Sequence, residues 1–252
     1  GVERNERLAI LAEANGRATR ELAPEKTSGE IQLRAGDVRE CDLAGFAAWH
    51  IDPDRRPDGR RTTRVELHEP SSTVWADLLR RNPTAAIKLA PAAELTPEWE
   101  SQNELEWISR DRECRQLVAW HGTLAQSPGQ RRATVLSNAA RGSAPRTLTG
   151  TPNERLIIAP KIDCYVFDPD PAVMAARLKG ALAAEHNLSA ITSGPTYLTG
   201  PQPVIDAALA CFEVLDVLPL RTRSLADYLQ ERKIGRLEIK TRGVEIDPQR
   251  LR

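Results

Sequence analysis

Residues 46–64 read FAAWHIDPDRRPDGRRTTR, an apolar run that stops at Asp52-Pro53-Asp54 and then meets five arginines. A run this short, closed by a proline that cannot donate to a central ladder, reads as a buried strand and its exit. The charge begins only where the strand ends. Upstream, Glu30 to Ala35 (EIQLRA) alternates like a strand and stops at Gly36-Asp37. Before it, Leu8, Leu11, Ala12 and Asn15 fall at helical spacing, which predicts a helix over 5–16 after a strand stub ending at Glu3. The interval 17–29, with Pro24 and Gly29, reads as a loop. Downstream, Ser71 or Ser72 can cap a helix running to Leu79, and AAIKL (85–89) is a short strand that breaks at Pro91. Strands and helices alternating at this pitch indicate βαβ units and a mostly parallel sheet.

From Glu104 the pattern changes. NELEWIS, CRQLVAWHG and RRATVL are strand-like with no helix between them, which predicts an antiparallel meander closing the sheet. Residues 137–155, rich in Ser, Gly, Pro, Thr and Asn, read as a linker. A second unit then opens at Tyr165–Phe167, followed by DPDP, a helix (AVMAARLKGALAAEH) and a Gly/Pro-rich interval from Gly194 to Pro203. CFEVLDVLPL reads as a strand, SLADYLQERK as a helix, and RLEIKTRGVEI as a final strand pair. The expected organisation is an α/β domain over 1–150 and a smaller α+β domain over 156–252, a normal domain size.

The 252 residues balance 35 basic against 35 acidic side chains, so only local clusters can mark a polyanion partner. Cys41, Cys114, Cys164 and Cys211 lack metal-ligand spacing and are expected to be buried free thiols in a reducing compartment; no metal is expected. No apolar run approaches the ~18 residues of a membrane span, and no signal peptide is visible. A cytoplasmic protein is expected.

In an open parallel sheet, ligands bind outside the carboxyl ends of the strands. Glu3, Asp37 and Asp52 fall at three such ends. A carboxylate after one strand can accept from a ribose diol, one after the next can accept from an adenine amino group, and a third points into the substrate cleft. Singly, each is also what a solvated strand cap looks like. His50 lies two residues before Asp52 and is expected to pack inside, while His68, His121 and His186 show no partner.

VERNERLAILAEAN, RAGDV and WHIDPDRR in succession resemble class I S-adenosylmethionine-dependent methyltransferases, and more narrowly the bacterial ones that carry a C-terminal THUMP-like domain. Further carriers are IKLAP (87–91), ELEWIS, ECRQLVAW, YVFDPDPAV and the closing IGRLEIKTRGVEIDPQRLR. The resemblance implies a Rossmann-like sheet followed by a THUMP-like module. It implies S-adenosyl-L-methionine held by Glu3, Asp37, Val38 and Asp52, with Asp52 and Pro53 at the transfer site. RNA is the implied partner, through Arg55, Arg56, Arg60, Arg61 and Lys88 and through Arg236, Lys240 and Arg242. In this class a glycine-rich loop follows a first strand; nothing before Glu3 matches it. The expectation is that this strand and loop lie outside residues 1–252, and that this stretch alone binds cofactor poorly.

Relatives that methylate base amines place an aromatic ring where Arg55 stands, to stack on a flipped base. The arginines can therefore clamp phosphates, stack on a base, or brace the loop by pairing Arg55 with Asp52 or Asp58. Two other readings stay open: a binding scaffold without turnover, and methylation of a small molecule or protein.

Overall fold

A computed structural model describes residues 1–22, 32–56, 59–136, 144–194 and 197–240. The chain opens with β1 (Val2–Glu3), α1 (Glu6–Leu22) and β2 (Arg34–Ala35), and β1 pairs with β2 in parallel. Asn5 starts α1 by accepting from the amides of Arg7 and Leu8 at 3.0 and 3.3 Å. Leu8 and Leu11, placed on the inner face by their spacing, stand 51% and 59% exposed, and Ala9 is buried instead. The helix packs on a sheet of two very short strands, too small to cover that face.

The large sheet comprises β3 (Trp49–Ile51), β4 (Ala85–Leu89), β5 (Glu104–Arg110), β6 (Glu113–His121), β7 (Arg131–Leu136) and β8 (Arg146–Gly150), in the order β3-β4-β6-β5-β7-β8. β3, β4, β5 and β7 run in one direction; β6 and β8 oppose them. This corrects two expectations. The strands after Glu104 form no meander, because the segment after β6 crosses over to set β7 parallel to β5 on its far side. Arg146–Gly150, read as linker, is a strand, since β7 offers an edge that any extended segment can satisfy. α2 (Ser72–Arg81) and α3 (Pro97–Gln102) flank the first strands; Thr96 caps α3, its hydroxyl accepting from the Trp99 amide at 3.3 Å.

The second unit is an antiparallel sheet ordered β10-β11-β9-β12, made of β9 (Tyr165–Pro169), β10 (Ser189–Ala190), β11 (Leu198–Gly200) and β12 (Leu209–Glu213). The single helix expected after DPDP is two, α4 (Pro171–Ala175) and α5 (Lys179–Glu185), divided where Arg177 takes φ 59°. Asp170 begins α4 by accepting from the Ala172 amide at 2.8 Å, with Pro171 in the first turn. α6 (Thr222–Glu231) matches its expectation, while the final strand pair falls largely outside the described residues.

One buried cluster runs through both units, from Trp75, Ile87, Trp107 and Leu148 to Phe167, Val173, Leu182 and Leu198. Arg131 is buried at the seam, its guanidinium 5.0 Å from the Trp107 ring centroid, paired with Glu100 at 2.7 Å and donating to the Ala176 carbonyl. Cys41 is buried and Cys114 half-buried, but Cys164 and Cys211 are exposed, against expectation: both lie in the thinly covered second unit. No helix among the described residues is long and apolar enough to cross a membrane.

Candidate active site

The parallel pairing of β3 with β4 sets Ile51 beside Ile87. The next position on each strand is then Asp52 beside Lys88, and the Lys88 ammonium donates to the Asp52 carboxylate. Lys88, expected as a substrate contact, is thus engaged by Asp52. Both are part-exposed at the sheet's carboxyl edge. Pro53 is buried behind them. His50 is exposed, against expectation; it pairs across to Ala86 and, two residues before Asp52, shares its side of the strand.

Beyond Pro53 the chain turns back. Asp54 and Glu69 exchange backbone hydrogen bonds of 2.8 and 2.9 Å, the Thr62 amide donates to the Arg55 carbonyl at 3.0 Å, and the Asp54 side chain accepts from the Arg56 amide at 2.8 Å. Arg55 is half-buried; Arg56, Arg60, Arg61 and Arg64 are exposed. Arg64 reaches Glu66 at 3.9 Å. Among the described residues no carboxylate pairs with Arg55, Arg56, Arg60 or Arg61; Asp52 is engaged by Lys88, and Asp58 lies outside the described residues.

The end of β1 also reaches this loop. Arg4, next to Glu3, pairs with Glu69 at 2.8 Å, so the end of β1 lies against the turn that follows β3. One oxygen of Glu3 accepts from the Asn5 amide at 2.8 Å; the other has no partner among the described residues and can accept from a ligand hydroxyl. Asp37 caps a single 3-10 turn at Val38–Glu40, and hydrogen bonds from the Arg39 side chain and amide hold its carboxyl well below the usual carboxylate range. Val38 packs toward Cys41, Leu43 and Leu78. Nothing in the sequence marked Arg39, Glu69 or the Asp52–Lys88 contact, since each depends on pairing between distant segments.

The C-terminal residues expected to meet RNA are placed unevenly. Arg236 is exposed; Lys240 lies 3.0 Å from Glu238 and 3.8 Å from Asp168; Arg242 lies outside the described residues. Elsewhere Glu185, His186 and Asp206 bring ligand atoms within 4.8 Å of one another, but Arg146 pairs with both carboxylates, at 2.6 and 3.1 Å. A guanidinium already balances that cluster, and His186 donates into it at 2.8 Å.

Comparison with known proteins bears on the family and the fold. Residues 209–252, beginning at the first residue of β12, match the model of the THUMP domain-like family. Two uncharacterised S-adenosylmethionine-dependent methyltransferases of Mycobacterium tuberculosis, from strains CDC 1551 and H37Rv, are 31% identical over 211 residues. The matches take in 80% of this chain and 54% of each relative, so the chain spans about half the length of the curated relatives it matches. A crystal structure from Porphyromonas gingivalis W83, assigned as a methyltransferase, superposes with TM-score 0.74 at 19% identity, covering 99% of this chain and 63% of that one. The fold is that of a methyltransferase sheet followed by an α+β module. Within that class, the chain is a relative of S-adenosylmethionine-dependent methyltransferases and ends in a THUMP-like segment.

Proposed function

We propose that the protein is a cytoplasmic, bacterial S-adenosyl-L-methionine-dependent methyltransferase that modifies RNA, with its C-terminal module assisting substrate binding. The observation that supports this reading is the placement of Glu3, Asp37 and Asp52, each at or just past the carboxyl end of a parallel strand, with Arg4–Glu69 tying the end of β1 to a loop whose arginines lack carboxylate partners among the described residues. The cofactor supplies an electrophilic methyl group. Glu3, one of whose oxygens has no partner among the described residues, would hold a ribose hydroxyl, and Asp37 with Val38 would border the adenine. Asp52 would accept the proton that the nucleophile sheds as its lone pair takes the methyl group and the C–S bond electrons stay on sulfur to leave a neutral thioether, and Pro53 fixes the turn that aims the carboxylate. Arg55, Arg56, Arg60 and Arg61 offer planar forks to phosphates, and Arg236, Lys240 and Arg242 extend the contact on the second module.

The test is nucleoside mass spectrometry of total RNA from a strain lacking the gene. One methylated nucleoside should disappear, return with the wild-type gene, and stay absent with Asp52→Ala. If every methylated nucleoside persists, the substrate is not RNA; a small-molecule or protein acceptor, or a scaffold without turnover, then takes its place.

A further inference from the structure

Beneath the arginine loop sits His68, 2% exposed. Its Nε2 lies 3.3 Å from the Thr62 carbonyl oxygen, and its ring centroid is 5.9 Å from that of Trp75, whose own indole N–H is fixed on the Pro70 carbonyl at 2.8 Å. The buried Nδ1 has no hydrogen-bond partner among the described residues. A carbonyl oxygen only accepts, so Nε2 carries the proton and Nδ1 is the bare nitrogen of a neutral ring. Burial favours that neutral form, pushing the imidazole below its ordinary value. If packing were the whole role, an apolar ring would serve without stranding a buried nitrogen. What imidazole adds is the bond to Thr62, the residue directly after Arg60 and Arg61.

We propose that His68 is a positioning residue: through Thr62 it holds Arg60 and Arg61 in place for an RNA phosphate, an inference that rests on the phosphate reading of those arginines. The peg acts before binding. Thr62 is held from below by His68 and from the side by the Arg55 carbonyl, so the arginine pair is ordered in the free protein and binding does not bear that cost.

The experiment uses the full-length protein, a fluorescently labelled single-stranded oligouridylate as probe, and amide hydrogen exchange at Thr62 and Arg64. His68→Phe keeps a ring against Trp75 and removes the donor; His68→Gln keeps an N–H for Thr62; an Arg60→Ala, Arg61→Ala double variant removes the phosphate contacts. His68→Phe is expected to weaken probe binding about tenfold and to speed exchange at Thr62, with His68→Gln staying within about threefold of wild type. Unchanged binding by His68→Phe, when the arginine double variant binds more weakly, overturns the role of His68 and leaves the phosphate reading standing. If the double variant binds as wild type does, the phosphate reading fails. Faster exchange in His68→Phe then still supports the peg, and unchanged exchange overturns it.

Discussion

Asp52 and Lys88 are each visible in the sequence as a residue at a strand end, but their contact follows from the in-register pairing of Ile51 with Ile87. A part-exposed pair of this kind adds little to stability, typically under ~1 kcal/mol, because water screens it and two side chains lose freedom. In the proposed reaction its value lies in aiming a carboxylate. Lys88→Met should therefore slow single-turnover methyl transfer to substrate RNA by roughly tenfold, against about a hundredfold for Asp52→Asn, with urea unfolding nearly unchanged. Lys88→Arg should restore most of the rate; a Lys88→Met variant as fast as wild type would show that the pair is ornamental to transfer. His121 makes the opposite case, a residue whose effect is on stability alone. Burial pushes its imidazole down to about 4, its Nε2 finds no partner among the described residues, and its ring meets Trp99 edge-on at 4.7 Å. The unfolded chain takes up this proton below about pH 6.5 and the folded chain only near 4, so the stabilisation is complete above 6.5 and is lost as pH falls toward 4. Wild type should lose roughly 2 kcal/mol more than His121→Phe between pH 7 and 4.5 in urea titrations.

At the scale of elements, apolar runs and capping residues located the strands β3, β4, β5, β6 and β7 and the helices α2 and α6, because those signals are local. Neighbour relations are not local. The order β6-β5-β7 and the strand Arg146–Gly150 arise from edges that find partners only after the chain has crossed over, and a run of Thr, Leu and Gly looks the same in a linker as in an edge strand. The break between α4 and α5 was equally hidden, since the residues where it falls, Ala176, Arg177 and Leu178, are all strong helix formers. Gly180, in the first turn of α5, records what that break achieves: a Cβ there would lie 2.3 Å from the Glu154 carbonyl oxygen. Helix propensity favours alanine by about 1 kcal/mol, yet the obstacle is backbone and cannot rotate away. Gly180→Ala should thus destabilise the protein by roughly 1–3 kcal/mol in urea unfolding; a stabilised variant would mean that the 151–155 segment moves freely off α5.

For the whole molecule, the change in composition between residues 137 and 155 suggested two domains, and the buried side chains of the two units form one cluster. Phe167 is fully buried in the cluster that contains Trp107 and Leu148, and three arginines of the large sheet region reach into the second unit. Arg112 holds the Asp168 carboxylate at 2.9 Å, Arg131 the Ala176 carbonyl, and Arg146 both Glu185 and Asp206. An interface made of core side chains has no independent surface to fall back on, so losing one side should unfold the other. The distribution of tryptophan makes this measurable. All five, Trp49, Trp75, Trp99, Trp107 and Trp120, lie before residue 121, so indole fluorescence reports on the first unit, while far-UV circular dichroism reports on both. Phe167→Ala removes a side chain from the second unit and should cost about 3–5 kcal/mol. If the units share one core energetically, the fluorescence midpoint in urea moves by the same amount as the dichroism midpoint, although no tryptophan was changed. A fluorescence transition that stays at its wild-type position while the dichroism splits in two would show that the seam is a contact between independently stable bodies.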